Sequence, residues 1–165
     1  MKTSELEGGA LDYWCARALV DENEEIFFIR VEPSVVVTFT HGTLRKLAQP
    51  FAPAEEWADA VEILERAREL KWIRGEHGTH CHAKFDADSR GALEGEAQAA
   101  HPRVALLRAF VRARFGDTVE ACPTEPHAVR GGTARPYDAG GVPPTYGDNA
   151  GAENEIGNIR SVPRP

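Results

Sequence analysis

The segment from Pro102 to Asp117 constrains the fold of this 165-residue chain more than any other. Proline suits the first position of a helix, where its missing N–H would have no partner, and Gly116 can take the left-handed conformation that ends one. Between them the large apolar side chains recur at helical spacing, at Val104, Leu107, Val111 and Phe115. A helix that is apolar over more than half of its circumference must be covered by other elements. We therefore predict a buried helix at 102–115 on which the rest of the fold is built.

Two more segments have helical patterns. Apolar residues at i, i+3, i+4, i+7 and i+8 predict a helix from Ala10 to about Val20, with Trp14 directed inward. Residues 54–70 are helix-like by propensity. Within them Trp57, Val61, Leu64 and Ala67 share a face.

The strand signals are concentrated in three places. Residues 26–31 and 35–40 are rich in β-branched and aromatic residues and predict a hairpin, with a turn at 32–34. Residues 79–85 predict a third strand. Residues 43–49 are interpreted as a short helical turn or a loop, and residues 92–101 are interpreted as a loop. The fold class predicted is α+β, a small antiparallel sheet of two to four strands packed against two or three helices.

The C-terminal part of the chain differs in composition from the rest. Residues 123–165 contain 7 Gly and 7 Pro, 14 of 43, with few large aliphatic side chains. Such a segment cannot bury enough apolar surface to offset the entropy lost on ordering. We predict one α+β domain at 1–122 and a disordered Gly/Pro-rich tail at 123–165.

Charge and cysteine content limit the function classes. A net charge of −7 disfavours non-specific binding to nucleic acid, which uses a basic patch. No apolar run approaches the roughly 20 residues that a membrane span needs. The three cysteines, Cys15, Cys81 and Cys122, form no short-spaced pair, so free thiols in a reducing cytoplasm are expected.

Three blocks in order resemble a known family. They are Ser4 to Ala18, Phe51 to Ala58 with Ile63-Leu64-Glu65-Arg66 behind it, and Pro102 to Val119. Together they are similar to the NinX-like family of small phage and prophage proteins, with its S-x-L-x-G-x-x-L-D start and its helix ending in F-G-D. The resemblance implies a phage or prophage protein acting in the bacterial cytoplasm. It carries over no catalytic residue, since that family has no established activity.

One cluster suggests chemistry. His77, His80 and His82 surround Cys81 and are followed by Asp86 and Asp88. Imidazole suits Zn²⁺, and on a strand His80 and His82 would project from one face about 7 Å apart. Three ligands with an open position would activate a water molecule, the arrangement of a metal-dependent hydrolase. The spacing matches no standard zinc motif, so the preferred interpretation is a histidine-rich surface strand with no metal or cofactor.

Four residues are candidates for binding a ligand or partner. Asp12 can border a pocket, and Trp57 can anchor a partner's side chain, although a core position is the usual one for tryptophan. Arg108 and Arg112, one helical turn apart, can grip a phosphate or carboxylate, although a solvated helix face is the default. The function predicted is a binding or adaptor module that contacts a host or phage protein or a small ligand, without catalysis. An open edge of the 26–40 hairpin would also allow a homo-oligomer.

Overall fold

A computed structural model describes residues 1–22, 24–41, 44–86 and 92–131 of the chain. The described helices are α1 (Gly8–Leu19), α2 (Trp57–Glu65) and α3 (Pro102–Phe115), preceded by a 3-10 turn at Thr3–Glu5. The described strands are β1 (Glu25–Arg30), β2 (Val36–His41), β3 (Leu44–Pro50), β4 (Ala67–Gly75), β5 (Gly78–Phe85), β6 (Leu93–Ala99) and β7 (His127–Arg130). The α+β class predicted from the sequence is confirmed.

The strands form two antiparallel sheets, where the sequence predicted one. The first has the order β3-β2-β1-β7 and the second the order β4-β5-β6. In the first sheet β3 pairs with β2, and β7 pairs with β1. The predicted hairpin is therefore paired along both of its outer sides, and the open edge expected there is wrong. A homo-oligomer stays a prediction.

Helix α3 lies against the second sheet and has the central position that its pattern predicts. Every residue from Ala105 to Val111 is buried, and Gly116 ends the helix with a φ of 87°. Strand β6 turns Gly95, Ala97 and Ala99 toward the helix. These small residues allow close approach, because a Cβ on Gly95 would lie 2.9 Å from the carbonyl carbon of Ala109.

Helix α1 is buried on all sides rather than along one stripe. Besides the predicted inward residues, Asp12, Tyr13 and Arg17 are buried. The Arg17 guanidinium lies over the ring of Trp14, 4.6 Å from its centroid. Because Asp12, Tyr13 and Arg17 lie on covered sides of this helix, their polar groups have lost contact with water, and such groups are stable only where the protein supplies partners.

Three segments differ from the sequence prediction. The helix predicted to reach Leu70 ends at Glu65, and 67–75 form β4, with Leu70 partly buried opposite Ala83 of β5. The segment interpreted as a short helical turn or loop contains β3, and the segment interpreted as a loop contains β6. Tertiary pairing overrides local propensity here, because a strand of small or charged residues has little pattern of its own.

The ordered chain extends beyond the predicted boundary at 122. Ala128 and Val129 of β7 are buried against β1, and the side chain of His127 stacks on Phe28 with ring centroids 5.0 Å apart. The prediction of disorder is therefore wrong for 127–130, because this short strand completes a sheet that already exists. Residues 132–165, which carry the rest of that prediction, lie outside the described residues.

Candidate functional site

The loop at 51–56, which leads into α2, is held by hydrogen bonds to both the N–H and the carbonyl of Ala54. The Oδ1 atom of Asp12 accepts a hydrogen bond of 2.7 Å from the backbone N–H of Ala54. The guanidinium of Arg103 donates two hydrogen bonds, of 2.6 and 3.1 Å, to the carbonyl of Ala54. Asp59 accepts a further one from the N–H of Ala52 at 2.8 Å. These bonds tie the start of α2 to α1 and α3.

Asp12 is a buried acid rather than the border of a pocket. It is 4% exposed, and burial is the main reason why its pKa rises from 3.8 to about 7. The negative charges of Glu55 and Asp59 raise it further, whereas the hydrogen bond from Ala54 and the charge of Arg103 lower it. The carboxyl group therefore changes its protonation state near neutral pH while it holds the loop.

Trp57 lies on the surface at the end of this loop. Its side chain is 41% exposed, and the Arg103 guanidinium stands 5.6 Å from its ring centroid. Helix α2 buries Ala60 and Ile63 instead of the predicted face, so Val61, one turn after Trp57, is also exposed. The usual core position of tryptophan is therefore wrong for Trp57, whereas Leu64 and Ala67 of the same predicted face are partly buried against the core. We call Trp57, Val61 and Arg103 together the Trp57 surface.

A cleft of about 290 Å³ is lined by residues of the same loop and of α1 and α3. Leu11 and Val104 contribute apolar walls, and Glu55 and His101 contribute polar groups. Ala54, whose peptide is fixed as described above, lines it as well. The cleft and the Trp57 surface therefore both adjoin Ala54, the residue to which Arg103 is hydrogen-bonded.

A second cleft, of about 500 Å³, brings together His80, Arg108 and Arg112. Arg108 is only 8% exposed and donates to the carbonyls of Leu6 at 2.9 Å and Gln98 at 3.1 Å. Its expected solvated position is wrong, because the guanidinium joins the N-terminal segment to β6.

Arg112 is more exposed than Arg108, but its charge is also matched within the chain. It bonds to the Asp117 carboxylate at 2.6 Å and to the carbonyl of Glu96 at 3.0 Å. The two arginines therefore serve the fold, and the second cleft offers a ligand little uncompensated positive charge.

The histidines do not converge. His80 and His82 lie on the same side of β5 as predicted, where they face Glu96 at 3.9 Å and Glu94 at 2.6 Å respectively. His80 lines the second cleft, whereas His77 lies in the turn between β4 and β5. Asp86 pairs with Arg68.

Within the part of the chain that the structure describes, no three His, Cys, Asp or Glu side chains are grouped to hold a metal ion. Asp88 lies outside the described residues. The zinc set of the alternative interpretation is therefore not assembled by the residues that can be placed.

Arg103 is the residue of this site that sequence reasoning missed. The helical pattern places it at the edge of the apolar stripe of α3, where a long side chain can cover neighbouring apolar groups. No local signal indicates that it reaches back to Ala54, 49 positions earlier in the chain. Only the packing of the loop against α3 brings them together.

These features define a small α+β protein with an exposed tryptophan at the start of its second helix. The family model for Bacteriophage P22, NinX matches residues 2–114, and the chain belongs to this family. The match runs from the N-terminus almost to the end of α3 and confirms the resemblance seen in the sequence. A comparison with curated proteins found no match. Among the described helices, none has the length and apolar character needed to cross a bilayer.

Proposed function

We propose that this protein is a non-catalytic binding module that contacts a phage or host protein in the bacterial cytoplasm through the Trp57 surface. The observation that carries the proposal is the half-exposed tryptophan ring held beside the fixed guanidinium of Arg103, 5.6 Å from the ring centroid. Family membership supplies the setting of a phage protein.

Both the residue types of the Trp57 surface and the low entropy cost of using them favour binding. Tryptophan and arginine are the residues most enriched among those that dominate binding energies at protein interfaces. Arg103 is already immobilised by its two bonds to the carbonyl of Ala54, so little side-chain entropy remains to be lost on binding. Val61 extends the apolar area beside the ring. A surface arranged in this way favours a protein partner with an apolar side chain that packs on Trp57.

The test uses the full chain in bacteria that carry the corresponding phage or prophage. A photo-crosslinking amino acid at Val61 would trap the protein that contacts this surface, and mass spectrometry would identify it. With that partner purified, Trp57→Ala should weaken binding at least tenfold, the effect of losing about 1.4 kcal/mol or more. The matched control is Leu47→Ala, which removes an equally exposed apolar side chain from β3.

Two results would contradict the proposal. One is a partner that binds the Trp57→Ala variant as tightly as the parent chain, while the variant keeps its fold by circular dichroism. The other is stoichiometric zinc in the purified protein that disappears in His80→Ala, which would favour the metal-dependent hydrolase instead.

A further inference from the structure

Strand β4 has an open edge. It pairs with β5 along one side, and no other described strand pairs with it. Its second half is exposed, with Trp72 at 42% and Ile73 at 50%. In an antiparallel ladder every second residue directs its N–H and C=O away from the partner strand, so this edge presents unpaired backbone groups to an incoming strand.

The charges on this edge are positive in a chain whose net charge is −7. Of the charged side chains of β4, Arg68 pairs with Asp86, and Glu69 pairs with Lys84 at 2.7 Å. Lys71 and Arg74 are exposed, and neither forms an ion pair with any described residue. The open half of the edge therefore carries a cation at 71, apolar side chains at 72 and 73, and a second cation at 74.

A second copy of the chain fits this edge poorly. The 71–74 segment of a copy carries the same two cations and no acid, so pairing it with this edge would bring positive charges together and neutralise none of them. Like charges on neighbouring strands repel each other, which destabilises the pairing. The same charges favour an acidic strand.

We propose that the open edge of β4 accepts an extended acidic segment of a partner protein by strand addition. The segment would carry the pattern acid, apolar, apolar, acid, because directly opposite residues on paired strands interact. Its acids would face Lys71 and Arg74, and its apolar side chains would contact Trp72 and Ile73. This interaction uses a different element from the Trp57 surface and does not depend on it.

The test is an NMR titration of the full chain with a short peptide, Thr-Ser-Glu-Val-Val-Glu-Ser-Thr. Shifted resonances and slowed hydrogen exchange are expected at alternate backbone amides of Leu70 to Gly75. A peptide with lysine in place of both glutamates should not bind, nor should one in which the glutamates occupy the two central positions. Lys71→Glu and Arg74→Glu should each weaken binding about tenfold, since an attraction becomes a repulsion. Arg30→Glu makes the same charge change on β1 of the other sheet and should leave binding unchanged.

Several outcomes would overturn the proposal. A titration in which no β4 amide responds would do so, as would equal binding of the lysine peptide or of the rearranged peptide. Slow exchange of all amides from 70 to 75 in the free chain would mean that the edge is already covered. Sedimentation would then assign the covering strand to a second copy or to the same chain. Loss of partner binding in Trp57→Ala would leave this result untouched, so the two proposals fail separately.

Discussion

Asp12, a buried acid that holds the loop beside the Trp57 surface, makes the free energy of unfolding depend on pH. Asp12 holds the N–H of Ala54 from inside the protein, where a charged carboxylate has lost most of its hydration. Its pKa of about 7 means that the folded chain binds this proton more tightly than the unfolded chain does. The free energy of unfolding therefore receives its largest contribution from Asp12 below about pH 4 and loses it as the pH rises through about 7.

Asp12→Asn tests this linkage, because asparagine keeps the acceptor for Ala54 and does not titrate. The free energy of unfolding of the parent chain, relative to that of the variant, should fall by an amount on the order of 3 kcal/mol between about pH 4 and pH 8. Denaturant unfolding across that range measures it. Glu56→Gln, which neutralises an exposed acid of the same loop, is the matched control. A variant whose unfolding follows the pH dependence of the parent would exclude Asp12 as the titrating group.

Arg108 and Arg112 allow another comparison between chemically identical side chains. Arg108→Met would leave the carbonyls of Leu6 and Gln98 without their donor and should cost about 3 kcal/mol in the free energy of unfolding. Arg112→Met removes a side chain that is 39% exposed and should cost less than about 1 kcal/mol. Urea unfolding of both variants measures the two losses in the free energy of unfolding. Equal losses would mean that burial does not distinguish the two arginines.

The contact between α3 and β6 depends on the absence of a side chain at Gly95. Gly95→Ala would bring a Cβ into the backbone carbonyl of Ala109, and backbone cannot move as cheaply as a side chain. We expect a loss of about 2–3 kcal/mol, measured by thermal or urea unfolding. Gly9→Ala in α1 is the control, because its Cβ would meet its nearest neighbour at an ordinary 3.6 Å. That substitution should stabilise the chain by about 0.5–1 kcal/mol. Unchanged stability of Gly95→Ala would show that the helix and the strand are not tightly packed.

How far the sequence predicts these elements depends on how each one is stabilised. Helix α3 and strands β1, β2 and β5 carry strong patterns of their own, and their predicted bounds lie close to the observed ones. Strand β6 escapes prediction because its core positions are glycine and alanine, whose small size matters only against α3. Of the candidate site, Asp12 and Trp57 are named from the sequence. Their connection through Ala54 and Arg103 is not, since it depends on contacts across 42 and 49 positions.

The two ends of the described chain meet the same core. The N-terminal amino group donates to the carbonyl of Val119 at 2.8 Å, and Lys2 forms a β-bridge with Thr118.

Beyond this bridge the Nδ1–H of His127 donates to the carbonyl of Glu125 at 2.7 Å, since that oxygen can only accept. Its Nε2 is then free to accept a bond of 2.9 Å from the buried hydroxyl of Tyr13. Burial raises the pKa of Tyr13 to about 12, so the hydroxyl stays protonated and donates.

Strand β7 is therefore part of the folded molecule, although it lies beyond the family match at 2–114. A chain that ends at residue 122 exposes Ile26 and Phe28 of β1 along the edge that β7 covers, and loses the burial of Ala128 and Val129. We expect its free energy of unfolding to fall by about 2–4 kcal/mol relative to a chain that ends at 131. The longer chain should match the full-length protein, because residues 132–165 are rich in glycine and proline and carry few large apolar side chains that could add buried surface. Urea unfolding of the three chains measures both differences. Equal stability of the 122 and 131 chains would mean that β7 only lies on the sheet, whereas a weaker 131 chain would show that the glycine- and proline-rich segment stabilises the fold.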